Sequence, residues 1–438
     1  MKNYLFLISF TAPLFSSDWV VSFDKIDSGN TAWLLISTSL VLFMTIPGIA
    51  LFYAGMVRKK NILATMMQSF TTVAMVSVLW MIIGYSIAFT NGNPFIGGFD
   101  RLFLNGVSVV SSEQTLTVHP NASSIPESVF IVFQMTFAII SCAIITGSFA
   151  ERVKFSSLMI FIAIWVLVVY APTAHWVWES NGWLAHHGVL DYAGGTVVHI
   201  NAGVAGLVGA IILKPRLGYK KEVMPPHNLV LTLIGVAMLW FGWFGFNAGS
   251  ALAADARAAM AMLVTQVATA IGAITWLFFE MIHKNKPSAL GFASGAVCGL
   301  VGITPAAGYV NASGALAIGI ISSGVCYYVI TVIKRKFNYD DSLDAFGIHG
   351  IGGIIGAILT AVFCDESISA ATSSIKIQII GVAITVVYSG IASYIILKII
   401  DKTIGLRVSK DEEREGLDIA SHGERLGEIL LTLINIMI

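Results

Sequence analysis

Two histidines lie within long apolar, glycine-rich stretches of this chain. His199 stands in Gly-Gly-Thr-Val-Val-His-Ile-Asn-Ala-Gly (194–203) and His349 in Asp-Ala-Phe-Gly-Ile-His-Gly-Ile-Gly-Gly (344–353). An ionisable side chain at membrane depth is costly to bury, so it usually faces a pathway or a partner inside the protein. Because histidine gains and loses a proton near physiological pH, the pair indicates transport of a proton or a small polar molecule.

Aromatic residues form a second group with possible chemistry. Trp178 precedes the apolar segment that contains His199, Phe133 and Phe137 lie one helical turn apart, and Ser250 follows an aromatic-rich stretch. Aromatic faces attract a desolvated cation by up to about 2 kcal/mol, and the serine hydroxyl can accept a hydrogen bond. An interfacial aromatic belt would explain any one of these residues, so the cation-binding interpretation requires that they converge.

The composition indicates a membrane protein that crosses the bilayer several times. Of 438 residues, 56% are hydrophobic and 11% are charged, whereas soluble domains have about 25% charged residues. Mean hydropathy is +0.81. These values exclude an ordinary globular enzyme, and the formal net charge of zero argues against a nucleic-acid surface.

Apolar segments of roughly 20 residues can cross the bilayer as helices. We place them at residues 31–55, 61–89, 128–150, 155–174, 195–213, 228–250, 258–283, 288–306, 312–333, 344–364 and 376–400. The fold class predicted is therefore an all-α membrane protein with eleven transmembrane helices. Lys and Arg cluster in alternate loops on the same side as the C-terminus, which places the N-terminus outside and the C-terminus inside by the positive-inside rule.

The predicted domains are a possible signal peptide at 1–17, a membrane domain at 18–401 and a charged cytoplasmic tail at 402–438. Each histidine lies in the last helix of a five-helix set, about 31–213 and 228–364, and each follows an aspartate, Asp191 or Asp344. Because five is odd, the second set enters the membrane from the opposite side, as in inverted-repeat transporters. The helix at 376–400 is then an extra C-terminal helix.

Six motifs in order resemble the ammonium transporter / methylammonium permease / Rhesus family, and most closely the bacterial-type ammonium transporters. The motifs are Phe133-Gln-Met-Thr-Phe137, Ala150-Glu-Arg-Val-Lys-Phe155, Asp191-Tyr-Ala-Gly-Gly-Thr-Val-Val-His-Ile-Asn201, Trp243-Phe-Gly-Phe-Asn-Ala-Gly-Ser250, Thr304-Pro-Ala-Ala-Gly308 and Asp344-Ala-Phe-Gly-Ile-His-Gly350. The resemblance extends over about residues 30–424. It implies a homotrimer with one pore per subunit, multi-pass in the cell membrane, that moves ammonium or ammonia and accepts methylammonium. No enzymatic activity and no cofactor or metal is expected.

The resemblance also assigns roles to individual positions. The substrate, gate and pore positions are Phe137, Trp178 and Ser250 for the outer ammonium site, Phe137 and Phe246 for the gate, and His199, His349, Trp243 and Thr304 for the pore. Asp191 is expected to stabilise the outer vestibule without touching the substrate. Around Trp178 the stretch Trp-Glu-Ser-Asn-Gly-Trp is one residue longer than the usual glycine-rich form.

These residues suit a filter that passes ammonia and stops bare cations. Dehydrating a cation costs several kcal/mol, of which a cation–π contact returns only about 2. Ammonium, unlike sodium or potassium, can leave its proton behind. Two neutral histidines that share a hydrogen bond offer a donor and an acceptor, while two charged ones at close range are strongly disfavoured.

The charged tail carries a further resemblance. A charge run is usually a solvated segment, but Glu-Arg-Glu-Gly-Leu-Asp (413–418) and Ser-His-Gly-Glu (421–424) resemble the family's C-terminal motif. This implies contact with neighbouring subunits and a PII-family signal protein as a partner. We expect the tail to dock against the basic loops at 214–221 and 334–336.

Two other function classes are open on the sequence. A sensor with a transporter fold would be expected to carry a cytoplasmic kinase or cyclase domain, and we expect none here. A conduit for a neutral gas would be expected to lack the outer tryptophan and serine, yet Trp178 and Ser250 are both present. His175, His186 and His187 could be drawn as a metal cluster, but we interpret them as solvated loop histidines.

Overall fold

The computed structural model describes residues 19–425, and the predicted signal peptide at 1–17 lies outside them. Within this part of the chain eleven apolar helices follow one another: α1 (Ser28–Met56), α2 (Lys59–Phe89), α3 (Glu127–Phe149), α4 (Phe155–His186), α5 (Gly195–Leu213), α6 (Leu229–Gly249), α7 (Ala256–Lys284), α8 (Ala289–Ile303), α9 (Ala312–Phe337), α10 (Phe346–Phe363) and α11 (Ile375–Thr403). Ten are long and apolar enough to cross a membrane, and α8, with 15 residues, is shorter. Two short helices in the tail follow, α12 (Lys410–Glu415) and α13 (Leu417–His422).

Short polar side chains begin several of these helices. A helix leaves its first backbone N–H groups without partners, and an Asp, Ser or Asn just before the first turn can accept from one of them. At the apolar helices in residues 19–425, five residues do so by a single such bond, namely Asp27, Asp255, Ser288, Asn311 and Ser374. The apolar runs therefore have defined starting points in the sequence.

Strand β1 precedes α1, and the other strands lie in the polar segment between α2 and α3. A three-stranded antiparallel sheet has the order β1 (Val20–Ser22), β5 (Thr115–Thr117), β4 (Val109–Val110), and a small hairpin pairs β2 (Gly92–Asn93) with β3 (Ile96–Gly97). A buried ion pair joins this segment to α3, with Arg101 Nε 2.8 Å from Glu127 Oε1. The segment thus covers one end of the helix bundle.

Helices α5 and α10 cross closely at the centre of the bundle. A Cβ atom at Gly203 would lie 2.3 Å from the Gly350 nitrogen, and one at Gly353 would lie 2.7 Å from the Gly195 oxygen. Small residues permit such close backbone contact between membrane helices. This crossing brings the first turns of α5 and α10, where His199 and His349 lie, next to each other.

The tail docks against the bundle end opposite the strands, which we call the tail face. Arg407 donates to the Leu213 oxygen at 2.7 Å, and Glu413 accepts from the Leu217 N–H at 2.7 Å. The predicted contact near 214–221 is therefore present. The second contact surface includes the start of α2, where Asp418 accepts from the Ala64 N–H at 2.8 Å, whereas we had predicted it at 334–336.

Candidate functional site

Five predicted site residues form a continuous aromatic column through the bundle. The ring centroids of Trp178 and Phe137 are 5.8 Å apart, those of Phe137 and Phe246 are 4.3 Å apart, and those of Phe246 and His199 are 5.9 Å apart. His199 then stacks on His349 at 5.2 Å. These residues come from α3, α4, α5, α6 and α10. The convergence that the cation-binding interpretation required is therefore present.

A cavity of about 100 Å³ lies at the Trp178 end of the column. Phe137, Trp178 and Ser250 line it together. The Trp178 indole donates to the Asp191 carbonyl at 2.9 Å, which fixes the ring. The Ser250 hydroxyl donates to the Phe246 carbonyl at 2.9 Å, so its oxygen retains lone pairs that can accept a hydrogen bond from a ligand.

The Phe137–Phe246 pair separates the cavity from the two histidines. Phe137 is 1% exposed and Phe246 is not exposed at all. Their rings touch at a centroid distance of 4.3 Å with a tilt of 33°. No polar atom is available between two such rings to replace the hydration shell of an ion. A hydrated species must therefore lose water or displace a ring to pass this point.

The two histidines are joined through one hydrogen bond. Their Nδ1 atoms lie 3.2 Å apart. One ring must carry a proton on Nδ1 and the other must not, because each nitrogen of a neutral imidazole is either a donor or an acceptor. The Nε2 atom of His199 is buried and has no hydrogen-bond partner within residues 19–425. The pair therefore presents ring nitrogens of opposite character to a molecule beside it.

Trp243 and Thr304 form one wall around His199. Trp243 stacks on His199 with centroids 5.4 Å apart, and its indole N–H donates to the Thr304 hydroxyl at 2.9 Å. Thr304 donates in turn to the Leu300 carbonyl at 2.7 Å. Because the Trp243 N–H and the Thr304 hydroxyl both donate to other protein atoms, the wall offers mainly aromatic surface to the column.

Asp191 organises the start of α5. Its two carboxylate oxygens accept the backbone N–H groups of residues 194–197 at 2.7–3.0 Å. Gly194 has a φ of +115°, which places it in the left-handed region that glycine adopts most readily. A carboxylate there also complements the positive end of the helix dipole. Asp191 therefore positions the turn that carries His199, and its expected role at the outer vestibule stays a prediction.

The equivalent residue before α10 is Asp341, and the pairing of Asp191 with Asp344 was wrong. Asp341 accepts from the N–H groups of residues 345–347 and from the Ser148 hydroxyl, while Asp344 pairs with Lys334. Asp191 and Asp341 each precede their histidine by eight residues. This shared spacing in the sequence identifies Asp341 as the equivalent of Asp191. Asp344, which lies three residues before Gly347, was paired with Asp191 because it is nearer to that glycine.

His175 is also not the solvated loop histidine that we predicted. It is completely buried, with its two ring nitrogens 3.0 Å and 2.8 Å from the carbonyl oxygens of Ala88 and Asn93. His186 and His187 are exposed. Within residues 19–425 no group of three or more His, Cys, Asp or Glu side chains could hold a metal ion.

Known proteins resemble this chain over nearly its whole length. The model of the Ammonium Transporter Family matches residues 32–426. The chain is 46% identical to the ammonium transporter of Aquifex aeolicus, covering 95% of this chain and 98% of the relative. It is 46% identical to the ammonium transporter of Bacillus subtilis, covering 91% and 98%.

Solved structures show the same fold. Mep2 of Saccharomyces cerevisiae superposes with a TM-score of 0.81 at 33% identity, covering 88% of this chain and 89% of that one. Mep2 of Candida albicans gives 0.82 at 30% identity, covering 90% and 89%. The fold and the apolar helices define a multi-pass membrane transporter and not an enzyme. The chain belongs to the Ammonium Transporter Family.

We predict that Asp191→Asn destabilises the protein by on the order of 3 kcal/mol, because a neutral amide cannot accept four N–H groups as the carboxylate does. Asp255→Asn is the matched control. Asp255 accepts from a single N–H group of α7, and Asn is equally favourable at such a helix start, so the cost should stay below about 1 kcal/mol. Thermal unfolding of the purified variants measures both, and equal losses would contradict the special role of Asp191.

Proposed function

We propose that this protein takes ammonium from outside the cell and conducts ammonia, with associated proton transfer, through the aromatic column. The observation that carries the proposal is the convergence of Trp178, Phe137 and Ser250 on one small cavity, directly above a closed ring pair and two hydrogen-bonded histidines. Aromatic faces and a hydroxyl acceptor suit a small cation with N–H donors. Neutral ring nitrogens suit ammonia, which both donates and accepts.

The order of these elements sets the mechanism that we propose. Ammonium binds in the cavity and meets the Phe137–Phe246 pair, where full dehydration costs more than a cation–π contact returns. Transfer of one proton from ammonium to solvent water at the outer cavity, which leaves ammonia and a hydrated proton, removes most of that cost, and ammonia then passes the rings to reach His199 and His349. A sodium or potassium ion cannot follow because it has no proton to lose.

The same arrangement favours ammonium over a neutral gas as the species recruited. A conduit for gas molecules alone has no need of a cation-binding cavity. Here the Trp178 indole is held by a hydrogen bond to the Asp191 carbonyl, and Ser250 keeps free lone pairs. We therefore treat methylammonium, which is also a cation with N–H donors, as a second substrate.

We further propose the membrane arrangement inferred from the sequence. All eleven apolar helices, α8 included, cross the bilayer of the cell membrane, with the N-terminus outside and the tail face in the cytoplasm. The matching Asp-to-His spacing of Asp191–His199 and Asp341–His349 supports two inverted five-helix repeats, followed by α11. The active assembly is a homotrimer with one pore per subunit.

The tail is proposed to regulate the pore and to lie where a PII-family signal protein binds. Arg407 and Glu413 form an ion pair with a 2.7 Å contact, and each also bonds the segment at 213–217. Lys60 donates to the Glu413 carbonyl at 2.9 Å. Burial of Glu413, 2% exposed, within this contact supports a docked tail rather than a solvated extension.

Trp178→Leu should raise the ammonium concentration needed to inhibit labelled methylammonium uptake by about tenfold, because most of the cation–π attraction is lost. Uptake by cells or proteoliposomes measures this inhibition. Trp183→Leu is a control for a half-buried tryptophan outside the cavity and should leave inhibition unchanged. If Trp178→Leu and Ser250→Leu both leave inhibition unchanged, the outer site lies elsewhere.

His199→Asp or His349→Asp should let potassium pass, since a fixed acidic group in the column stabilises a cation that cannot lose a proton. Potassium currents across membranes containing the reconstituted variants provide the measurement. His283→Asp places the same charge on the exposed surface of α7 and should pass no potassium. Continued exclusion of potassium together with normal ammonium transport in both pore variants would reduce the histidines to packing residues.

Removing the residues after Arg407 should lower the transport rate without dissociating the assembly, because the apolar helices keep their own contacts. Glu413→Gln should lower the rate in the same direction, whereas Glu415→Gln, at an exposed position, should not. Transport assays with and without PII protein, together with size-exclusion chromatography, report both properties. A truncated protein with full rate and an unaltered response to PII protein would show a passive tail.

A further inference from the structure

We propose that Tyr192 and Gln134 complete the outer ammonium site as second and third hydrogen-bond acceptors beside Ser250. The inference rests on the proposed function and extends its binding site. All three residues line the cavity of about 100 Å³ that contains Trp178. The roles assigned from the sequence included only Ser250 among these polar groups.

Two buried polar atoms in this cavity wall lack partners. The Tyr192 hydroxyl and the Gln134 Oε1 atom are both buried and form no hydrogen bond within residues 19–425. The residues are 7% and 8% exposed. A buried polar atom without a partner is costly, and each such atom in a native protein requires an explanation. Two of them on one small cavity point to a ligand that supplies donors.

Ammonium is a ligand of the required chemistry. It carries four N–H donors and no acceptor, so it is best bound where oxygen atoms surround it. Ser250, Tyr192 and Gln134 provide a hydroxyl, a phenol and an amide oxygen, each able to accept. The aromatic faces of Trp178 and Phe137 can take the remaining positive charge. Bonds from a charged donor are stronger than neutral ones.

The position of Tyr192 is fixed by its surroundings. Its backbone N–H donates to the Pro305 carbonyl at 3.1 Å, and the Arg257 guanidinium lies 4.9 Å from its ring centroid. A Cβ atom at Gly308 would lie 2.1 Å from the ring, so the ring has no room to move on that side. The hydroxyl is therefore held in place before a ligand arrives, which reduces the ordering cost of binding.

Gln134 is placed by the helix that carries the gate. It precedes Phe137 by three residues on α3, and positions three apart share a helix face. Gln134 therefore lines the same cavity as Phe137. The pair links recruitment to the gate, because the residue that accepts from ammonium and the ring that stops it lie on one rigid turn.

Tyr309 offers a matched control. Its ring packs edge-on against Tyr192 at 5.7 Å and lies 5.3 Å from the same Arg257 guanidinium. It is not among the residues that line the cavity. Tyr192→Phe and Tyr309→Phe thus remove the same hydroxyl from neighbouring rings with similar packing, and only the first removes a proposed ammonium ligand.

The test is inhibition of labelled methylammonium uptake by ammonium in Tyr192→Phe, Gln134→Leu and Tyr309→Phe. We expect the inhibition constant to rise about three- to tenfold in the first two variants, as for loss of one hydrogen bond. Tyr309→Phe should match the wild type in the inhibition constant and in the uptake rate.

Thermal unfolding of purified Tyr192→Phe without ammonium separates binding from folding. A hydroxyl without a partner stabilises nothing, so the variant should be at least as stable as the wild type. A clear loss of stability, or an unchanged inhibition constant in both Tyr192→Phe and Gln134→Leu, overturns the inference. If Trp178→Leu still weakens inhibition in that case, the outer site stands and only these two ligands are wrong.

Discussion

The column depends on two carboxylates that hold the starts of two buried helices. Asp191 binds the first turn of α5 and Asp341 that of α10, and these turns carry the histidines. Backbone N–H groups inside an apolar bundle cannot be left without partners. By satisfying them with fixed anions, the protein places two ring nitrogens 3.2 Å apart, and neither histidine forms a salt bridge with any residue in 19–425.

The binding of both carboxylates to backbone N–H groups keeps their charge out of the aromatic column. The negative charges of Asp191 and Asp341 are taken up by backbone donors and a hydroxyl, so they anchor structure rather than attract ions into the column. Between them lie aromatic rings and neutral imidazoles. In the mechanism that we propose, a cation is therefore favoured at the outer cavity, where the Ser250 hydroxyl and the aromatic faces meet, and disfavoured beyond the phenylalanine pair. The proposed selectivity follows from the lack of polar groups at that pair.

Much of this could be predicted from the sequence, and the failures have physical reasons. The length of the apolar segment predicts α5 correctly, because the predicted segment 195–213 has the same bounds as the observed helix. The fourth segment was predicted to end at 174, but regular helix continues to Trp178, and the buried His175 ring lies within hydrogen-bond distance of the Ala88 and Asn93 carbonyl oxygens. No local pattern shows those carbonyls. Hydropathy likewise cannot show that the Tyr192 hydroxyl has no partner, since that depends on every residue around it.

The tail and the column share one network of contacts. The Val408 N–H donates to the Arg152 carbonyl, and the Arg152 side chain donates to the Asp340 carbonyl and contacts Ser342. Burial raises the pKa of Asp340, but the Arg216 guanidinium outweighs it and holds this pKa below its usual value, so the carboxylate stays ionised at neutral pH. Asp341, next in the chain, holds the turn before His349. The docked tail is therefore connected, through bonds between ordered groups, to the segment that positions His349, and this connection is the route by which the proposed regulation would act.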